Sequence, residues 1–478
     1  MHDVSLQKKN KITLEDYDFR QDIENRLLMG QFTSVDLEVL EEILYSSITI
    51  PIRKLAKNLS LEEEELLPIL QKLSKSGLFA YDDETITVDK ELRKYFETQI
   101  MKFDPDFKPG MEYLQSLLRK VPIHVLPIWY SIPRTSNNIF ESLVEKYLLT
   151  PQIFQRYLLD LNFPNPTLNA IIKDVYSAPD FSVFAKDLVD KYSLSKEQFE
   201  EYLLYLEFNF VCCLGYRKVD DDWKEIVTPF HEWHEYLMFL RTTEAPSITT
   251  PEKIQRARPQ DFSFIQDISA VLTMAKKQPI PLAPGKNGLI ALQPAQFSTL
   301  ASKLEGFKEN DPDLPSYIDR LISKLRILKL ADIVDDRLYA LEAANDWLDM
   351  RPENRAIFLY RHPLNRLDNP KISSQLCTDR NIKEAEKSIQ RVLNSGWVYL
   401  DDFIRGTIVP LGEDSLVMLK RQGKTWKYCL PSYSEEEANL IRSVIYDWLF
   451  EIGVTAIGLY EGKECFMVTP FGQSLFGR

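Results

Sequence analysis

The stretch SVDLEVLEEILYSSITIPIRKLAKNLSLEEEELLPILQKLSKSGLFAYDDETITV, residues 34 to 88, decides the fold class. Leu37, Leu40, Leu44 and Tyr45 fall on one face at helical spacing, and Ile52, Leu55 and Leu59 continue as a second, shorter helix. Ser60 is placed to cap a third helix over 61–76, with Glu63 at the capping-box position and Gly77 as its stop. Residues 78–81 and 85–88 then flank Asp82, Asp83 and Glu84, and Thr85-Ile86-Thr87-Val88 alternates as a half-buried strand does.

Three helices followed by a small hairpin is the order of a winged helix-turn-helix, and the pattern repeats downstream. Helices are predicted at 168–176 and 184–192, and Ser195 with Gln198 caps a third at 196–208. A hairpin over 210–216 and 223–227 closes that unit around Asp220, Asp221 and Asp222. Between the two copies lies a wingless helical hairpin, 138–148 and 151–161. Residues 241–260 are rich in Thr, Pro and Arg and lack periodicity, which marks the main boundary there. In the last unit 382–393 reads as the first helix, 400–404 as the second, and Ser434 with Glu437 caps 435–452. The run Cys465-Phe466-Met467-Val468-Thr469-Pro470-Phe471-Gly472 supplies its final strand and turn. The expected architecture is mainly α with small β wings, as tandem winged helix-turn-helix units in two lobes. The units are 1–105, 106–165 (the helical hairpin), 166–245, 246–370 and 371–478.

Composition narrows the function. Of 478 residues only 16 are Gly, about 3% against the usual ~7%, which argues against folds that cradle phosphate in Gly-rich loops. Asp and Glu number 71 against 58 Lys and Arg, and the net charge of −13 repels nucleic acid except where basic residues cluster. The five cysteines, Cys212, Cys213, Cys377, Cys429 and Cys465, form no C-x-x-C pair and read as free thiols of a reducing cytoplasm. Residues 1–20 contain no apolar h-region, and the longest apolar run, 121–132, is broken by Pro122 and Pro127. That run falls short of the ~18 residues a membrane span requires, so a cytoplasmic protein is expected.

From Asp261 onward the chain resembles the helicase-associated domain family, similar to the N-terminal accessory domain of XPB-type helicases. Four segments carry the resemblance. An apolar helix from Asp261 through Met274 leads into Pro281-Leu282-Ala283-Pro284-Gly285-Lys286-Asn287-Gly288. Residues 325–334 resemble the family's long helix entering a wing, with Lys329 replacing the usual Gly. Asn345-Asp346-Trp347-Leu348 precedes Arg351-Pro352-Glu353-Asn354-Arg355. Gly396-Trp397-Val398-Tyr399-Leu400-Asp401-Asp402-Phe403 is joined by Trp448-Leu449-Phe450-Glu451-Ile452-Gly453 and Thr469-Pro470-Phe471-Gly472. The resemblance implies a helicase or transcription protein as partner, although no helicase motor follows here.

Motifs of catalysis do not emerge. Gly423-Lys424-Thr425 lacks the earlier Gly of a phosphate loop, Met418 standing in its place, so it reads as a hairpin turn and ATP hydrolysis is not expected. His231 and His234 flank Glu232, but a catalytic zinc helix spaces its histidines by four, and the pair reads as structural. No cofactor or metal is expected, and no enzymatic activity. The three third helices open on acids: Glu62 to Glu65, then Glu197, Glu200 and Glu201, then Glu435 to Glu437. Acids there stabilise the helix dipole but oppose entry into a DNA groove. Two basic clusters remain. Lys420, Arg421, Lys424, Trp426 and Lys427 form a strand-turn-strand and are the candidate nucleic-acid-binding residues. Arg351, Arg355, Arg361 and Arg366 suggest a ridge after Trp347. Trp347, Trp397 and Trp448 read as core. The expected function is a non-catalytic accessory protein of DNA transactions, helicase- or transcription-associated, with weak, sequence-independent nucleic-acid contact through a basic wing. The alternative is a winged-helix scaffold or oligomerisation module that binds no nucleic acid.

Overall fold

The computed structural model describes residues 11–135, 138–220, 222–284, 290–292, 294–304, 314–362, 367, 369, 371–423 and 425–477. It is 55% helix and 15% strand, mainly α with small antiparallel sheets as expected. One element order recurs four times among the described residues: helix, short strand, helix, helix, then a two-stranded hairpin. In the first copy these are Ser34–Tyr45, Thr49–Pro51, Ile52–Leu59, Glu63–Leu73, Phe79–Tyr81 and Thr85–Val88. The short strand pairs with the last strand of the hairpin, giving the sheet order first, third, second. The same order holds for Val183–Phe184 with Asp222–Thr228 and Cys213–Val219, and for Val398–Tyr399 with Lys463–Val468 and Thr455–Tyr460. In the remaining copy Ile280–Pro284 pairs with Arg337–Ala340, and Ile290–Leu292 lengthens the sheet.

Two of the three capping serines lie where the sequence predicts. Ser195 accepts from Gln198 N at 3.1 Å and Ser434 from Glu437 N at 3.2 Å, each opening its helix. Ser60 does not. It closes the preceding helix in the left-handed region, φ 55, with Leu61 N donating to Ala56 O at 3.0 Å. That helix stop uses up Ser60 and Leu61, so the next helix opens on Glu62, whose N–H donates to Glu65 at 3.3 Å. Ser193 repeats the device at φ 51, with Leu194 N donating to Val189 O at 3.1 Å.

The chain forms two compact units. One comprises Met1–Met238 with Met418–Cys429, the other Phe239–Val417 with Leu430–Arg478. The aperiodic stretch 241–260 is bonded into the second unit. Ile248 N donates to Trp397 O at 2.7 Å, and Gln255–Arg256 adds an edge strand beside Thr455–Tyr460. Arg258, buried, pairs with Asp267 at 2.5 Å. An extended edge segment bonds through its backbone, which explains the missing apolar rhythm.

In the first unit the helix Lys196–Phe208 is buried on several sides through Phe199, Glu200, Leu203, Leu204, Leu206, Glu207 and Phe208. Its carboxylates meet Arg26 of the helix Phe19–Met29, which reaches Glu200 at 3.4 Å and also contacts Glu207. Lys120 pairs with buried Asp22 at 2.7 Å, and Tyr95 donates to the same carboxylate at 3.1 Å. Nearby Lys102 is buried, its ammonium has no hydrogen-bond partner among the described residues, and it lies 4.8 Å from the Tyr113 ring centroid. Burial pushes Lys102 down to about 7, and it pushes Glu200 up to about 7 despite the Arg26 guanidinium. In the second unit Trp347 and Trp448 are buried, and Trp448 donates to Glu386 at 2.7 Å. Among the described residues no helix is long and apolar enough to cross a membrane.

Candidate nucleic-acid interface

The basic cluster falls in sequence between the helices Leu400–Gly406 and Glu435–Ser443. It folds as its own two-stranded sheet, Leu419–Gln422 against Thr425–Tyr428, rather than as the terminal hairpin of that repeat. The expected basic wing is therefore an insertion between two helices, and the terminal hairpin is Thr455–Tyr460 with Lys463–Val468. Gln422 pairs with Thr425 across the turn, where Gly423 takes φ 65, a region in which glycine carries no steric cost. Lys424 lies outside the described residues.

Alternation along the strands separates two faces. Leu419, Arg421, Trp426 and Tyr428 share one, and Lys420 and Lys427 the other. The first face docks on the first unit. Tyr428 donates to Leu148 O at 2.6 Å, Leu419 N donates to Leu149 O at 2.8 Å, and the Trp426 ring meets Phe140 edge-on at 5.9 Å. Tyr428 also lies within 6.1 Å of the Trp233 ring and 5.8 Å of the Tyr236 ring. Trp426, half-buried, thus shares the docked face with Tyr428. On the other face Lys420 stands directly opposite Lys427. Both are exposed, as is Arg421, and none makes an ion pair among the described residues. Like charges directly opposite one another destabilise a sheet, so this pair favours an anion between them.

The second cluster does not assemble into a ridge. Arg355 turns inward, donating to Trp347 O at 2.9 Å, Leu348 O at 2.7 Å and Ser269 Oγ at 2.8 Å, and so closes the helix Ala343–Asp349. Arg351 and Arg361 are exposed, and Arg366 lies outside the described residues. Two acids of the helix starts are engaged within the protein: Glu436 accepts from Ser373 N at 2.6 Å, and Glu200 is buried beside Arg26.

The histidine pair is explained by the residue between them. Glu232 is buried and accepts from Met111 N at 2.9 Å, capping the helix Met111–Leu118. A Cβ on Gly110 would lie 2.5 Å from that carboxylate, so only glycine lets it approach. Burial pushes Glu232 up to about 7. His231 pairs with Glu235 at 3.3 Å and His234 bonds Asp180 O at 2.8 Å, so the two rings do not converge on a metal.

Sequence reasoning passed over a cleft of about 490 Å³ in the first unit, lined by aromatic rings and cations from the helical hairpin. Its signal is a pair of cation–tyrosine dipeptides, Lys146-Tyr147 and Arg156-Tyr157, one on each side of that hairpin. The chain matches no protein-family model, and no curated protein matches it significantly.

Proposed function

We propose that the chain is a non-catalytic assembly protein of nucleic-acid transactions, built from tandem winged-helix repeats, that touches a phosphate backbone through the hairpin 418–429. The observation that carries this reading is the exposed Lys420–Lys427 pair on a hairpin anchored by its opposite face. A rigid, unneutralised cationic face is what a sugar-phosphate backbone recognises without reading sequence. The recurring strand order first, third, second, with the hairpin following the third helix of each copy, supports the winged-helix reading. The resemblance over residues 261–478 favours a helicase or transcription protein as partner, and five free thiols favour a cytoplasmic setting. Against a net charge of −13, binding is weak and confined to short range, because screening acts over ~8 Å at physiological salt.

A low-salt gel-shift or anisotropy titration with duplex DNA tests the reading. Wild type should bind with a salt slope of about −2 to −3, as expected for two or three phosphates. Replacing Lys420, Arg421 and Lys427 together by Ala should abolish binding while the melting midpoint stays in place. The scaffold reading is favoured by the helix Lys196–Phe208, whose later turns are largely buried and whose exposed first turn carries Glu197, an acid that opposes entry into a groove. Wild type that binds no nucleic acid at low salt, yet captures a protein partner, would support that second reading.

A further inference from the structure

The cleft of about 490 Å³ in the first unit is of the size that holds a small ligand. Its wall is aromatic. The Tyr147 and Tyr157 rings, both half-buried, lie 4.8 Å apart, and Phe210 backs them at 6.2 and 5.9 Å. Its rim is cationic: Lys11, Lys146 and Arg156 stand against one acid, Asp160. Arg156 is exposed and has no side-chain partner among the described residues.

One backbone position in this wall and one directly behind it are strained. Ser131 takes φ 51 and Phe210 φ 63, the latter uncommon for a bulky side chain. The surroundings hold both. Lys146 donates to Tyr130 O at 3.0 Å and to Ser131 O at 2.7 Å, Lys11 donates to Ser131 Oγ at 3.0 Å, and Phe210 stacks on Tyr130 at 5.1 Å. Strain of this kind persists where a site is fixed in shape beforehand.

We infer that this cleft binds a nucleotide, with the base against Tyr147 and Tyr157 and the phosphate toward Arg156 and Lys146. A π-face and an anion are the two properties that the lining selects together, and a nucleotide carries both. Asp160 offers an acceptor for an exocyclic amino group or a ribose hydroxyl. The nucleotide is either free or one unit of a single strand.

Calorimetric titration at low salt with AMP, adenosine, inorganic phosphate and an oligo(rA) of about a dozen nucleotides tests the inference on the full chain. Wild type should bind AMP, the oligonucleotide or both. Arg156→Glu and Tyr157→Leu should each weaken that binding about tenfold or more, the scale of one lost stack or ion pair. Binding of both ligands marks a free-nucleotide site, and binding of the oligonucleotide alone marks a strand site. If Tyr157→Leu lowers the melting midpoint, Arg156→Glu decides alone, since its side chain is exposed and unpaired. The inference is overturned by no binding of either ligand, by phosphate or adenosine alone binding as tightly as AMP, or by cleft variants that bind like wild type. It stands apart from the hairpin reading. Loss confined to the Lys420, Arg421 and Lys427 variant sinks the cleft and leaves the hairpin, and loss confined to the cleft variants does the reverse.

Discussion

Lys329 sits at φ 55, with Leu330 N donating to Leu325 O at 2.9 Å, at a helix stop where glycine is ordinarily favoured. The left-handed region costs an L-residue roughly 1–2 kcal/mol, while glycine forfeits part of that gain through its freer unfolded chain. Lys329→Gly is therefore expected to raise stability by about 0.5–1 kcal/mol, read from the denaturant midpoint of the full chain. Lys102 makes a pH prediction. Its folded value of about 7 lies below the ordinary 10.5, so between those two limits the unfolded state holds more proton than the folded one. Stability from this group is greatest above 10.5 and falls as the pH drops toward 7. Glu200 and Glu232 act in a lower window, since both are raised from 4.5 to about 7 and lose stability as the pH rises between those values. Lys102→Met should flatten the stability profile above neutrality and stabilise the protein near pH 7.5 by about 1–3 kcal/mol, as replacement of buried ions by apolar groups often does. Denaturant melts at pH 7.5 and 10 check both parts. Trp448, buried with its ring 5.0 Å from the Lys324 ammonium, should cost about 3–5 kcal/mol on truncation to Ala. A loss below about 1 kcal/mol would place it outside the core.

Among the elements, the hairpin 418–429 depends on few bonds, and Tyr428 makes one of the most consequential. Its hydroxyl satisfies Leu148 O at 2.6 Å in a buried setting, so Tyr428→Phe should cost about 1–2 kcal/mol in a thermal melt without touching the lysine face. Salt-dependent nucleic-acid binding should survive that change while it fails in the lysine variants. Much of the element level was legible in the sequence where the signal is local. Capping boxes at Ser195 and Ser434, the alternation at 85–88 and the Gly77 stop depend on neighbours within a few residues. The strands Thr49–Pro51, Val183–Phe184 and Val398–Tyr399 were missed because two or three residues carry no alternation. Ser60 was misplaced because a residue type favoured at helix starts also tolerates a helix stop when the next residue makes the closing bond. The docking of the hairpin was illegible, since it rests on a bond 280 residues away along the chain. The cleft drew on segments near 11, 130, 146, 156 and 209, whose meeting no local pattern announces.

At the scale of the whole molecule, the chain passes between the two units three times, at 238, 417 and 429. A cut near residue 250 would thus leave residues 418–429 on the fragment to which they do not belong in space. Residues 1–238 expressed alone should unfold at lower denaturant than the same residues within the full chain and should bind an apolar dye where Tyr428 normally covers Trp233 and Tyr236. A synthetic peptide spanning 416–431 should restore part of that loss, and a fragment as stable as the parent would show that the hairpin is decoration. The hairpin also sets a clock. During synthesis the first 238 residues emerge complete but uncapped, and 190 more, from 239 to 428, must follow before Tyr428 arrives. At roughly 5–20 residues per second that interval is about 10–40 s, long compared with the folding of most small domains. Throughout it Trp233 and Tyr236 wait without the ring that covers them, and whatever apolar surface meets them first competes with the cover that the ribosome has yet to deliver.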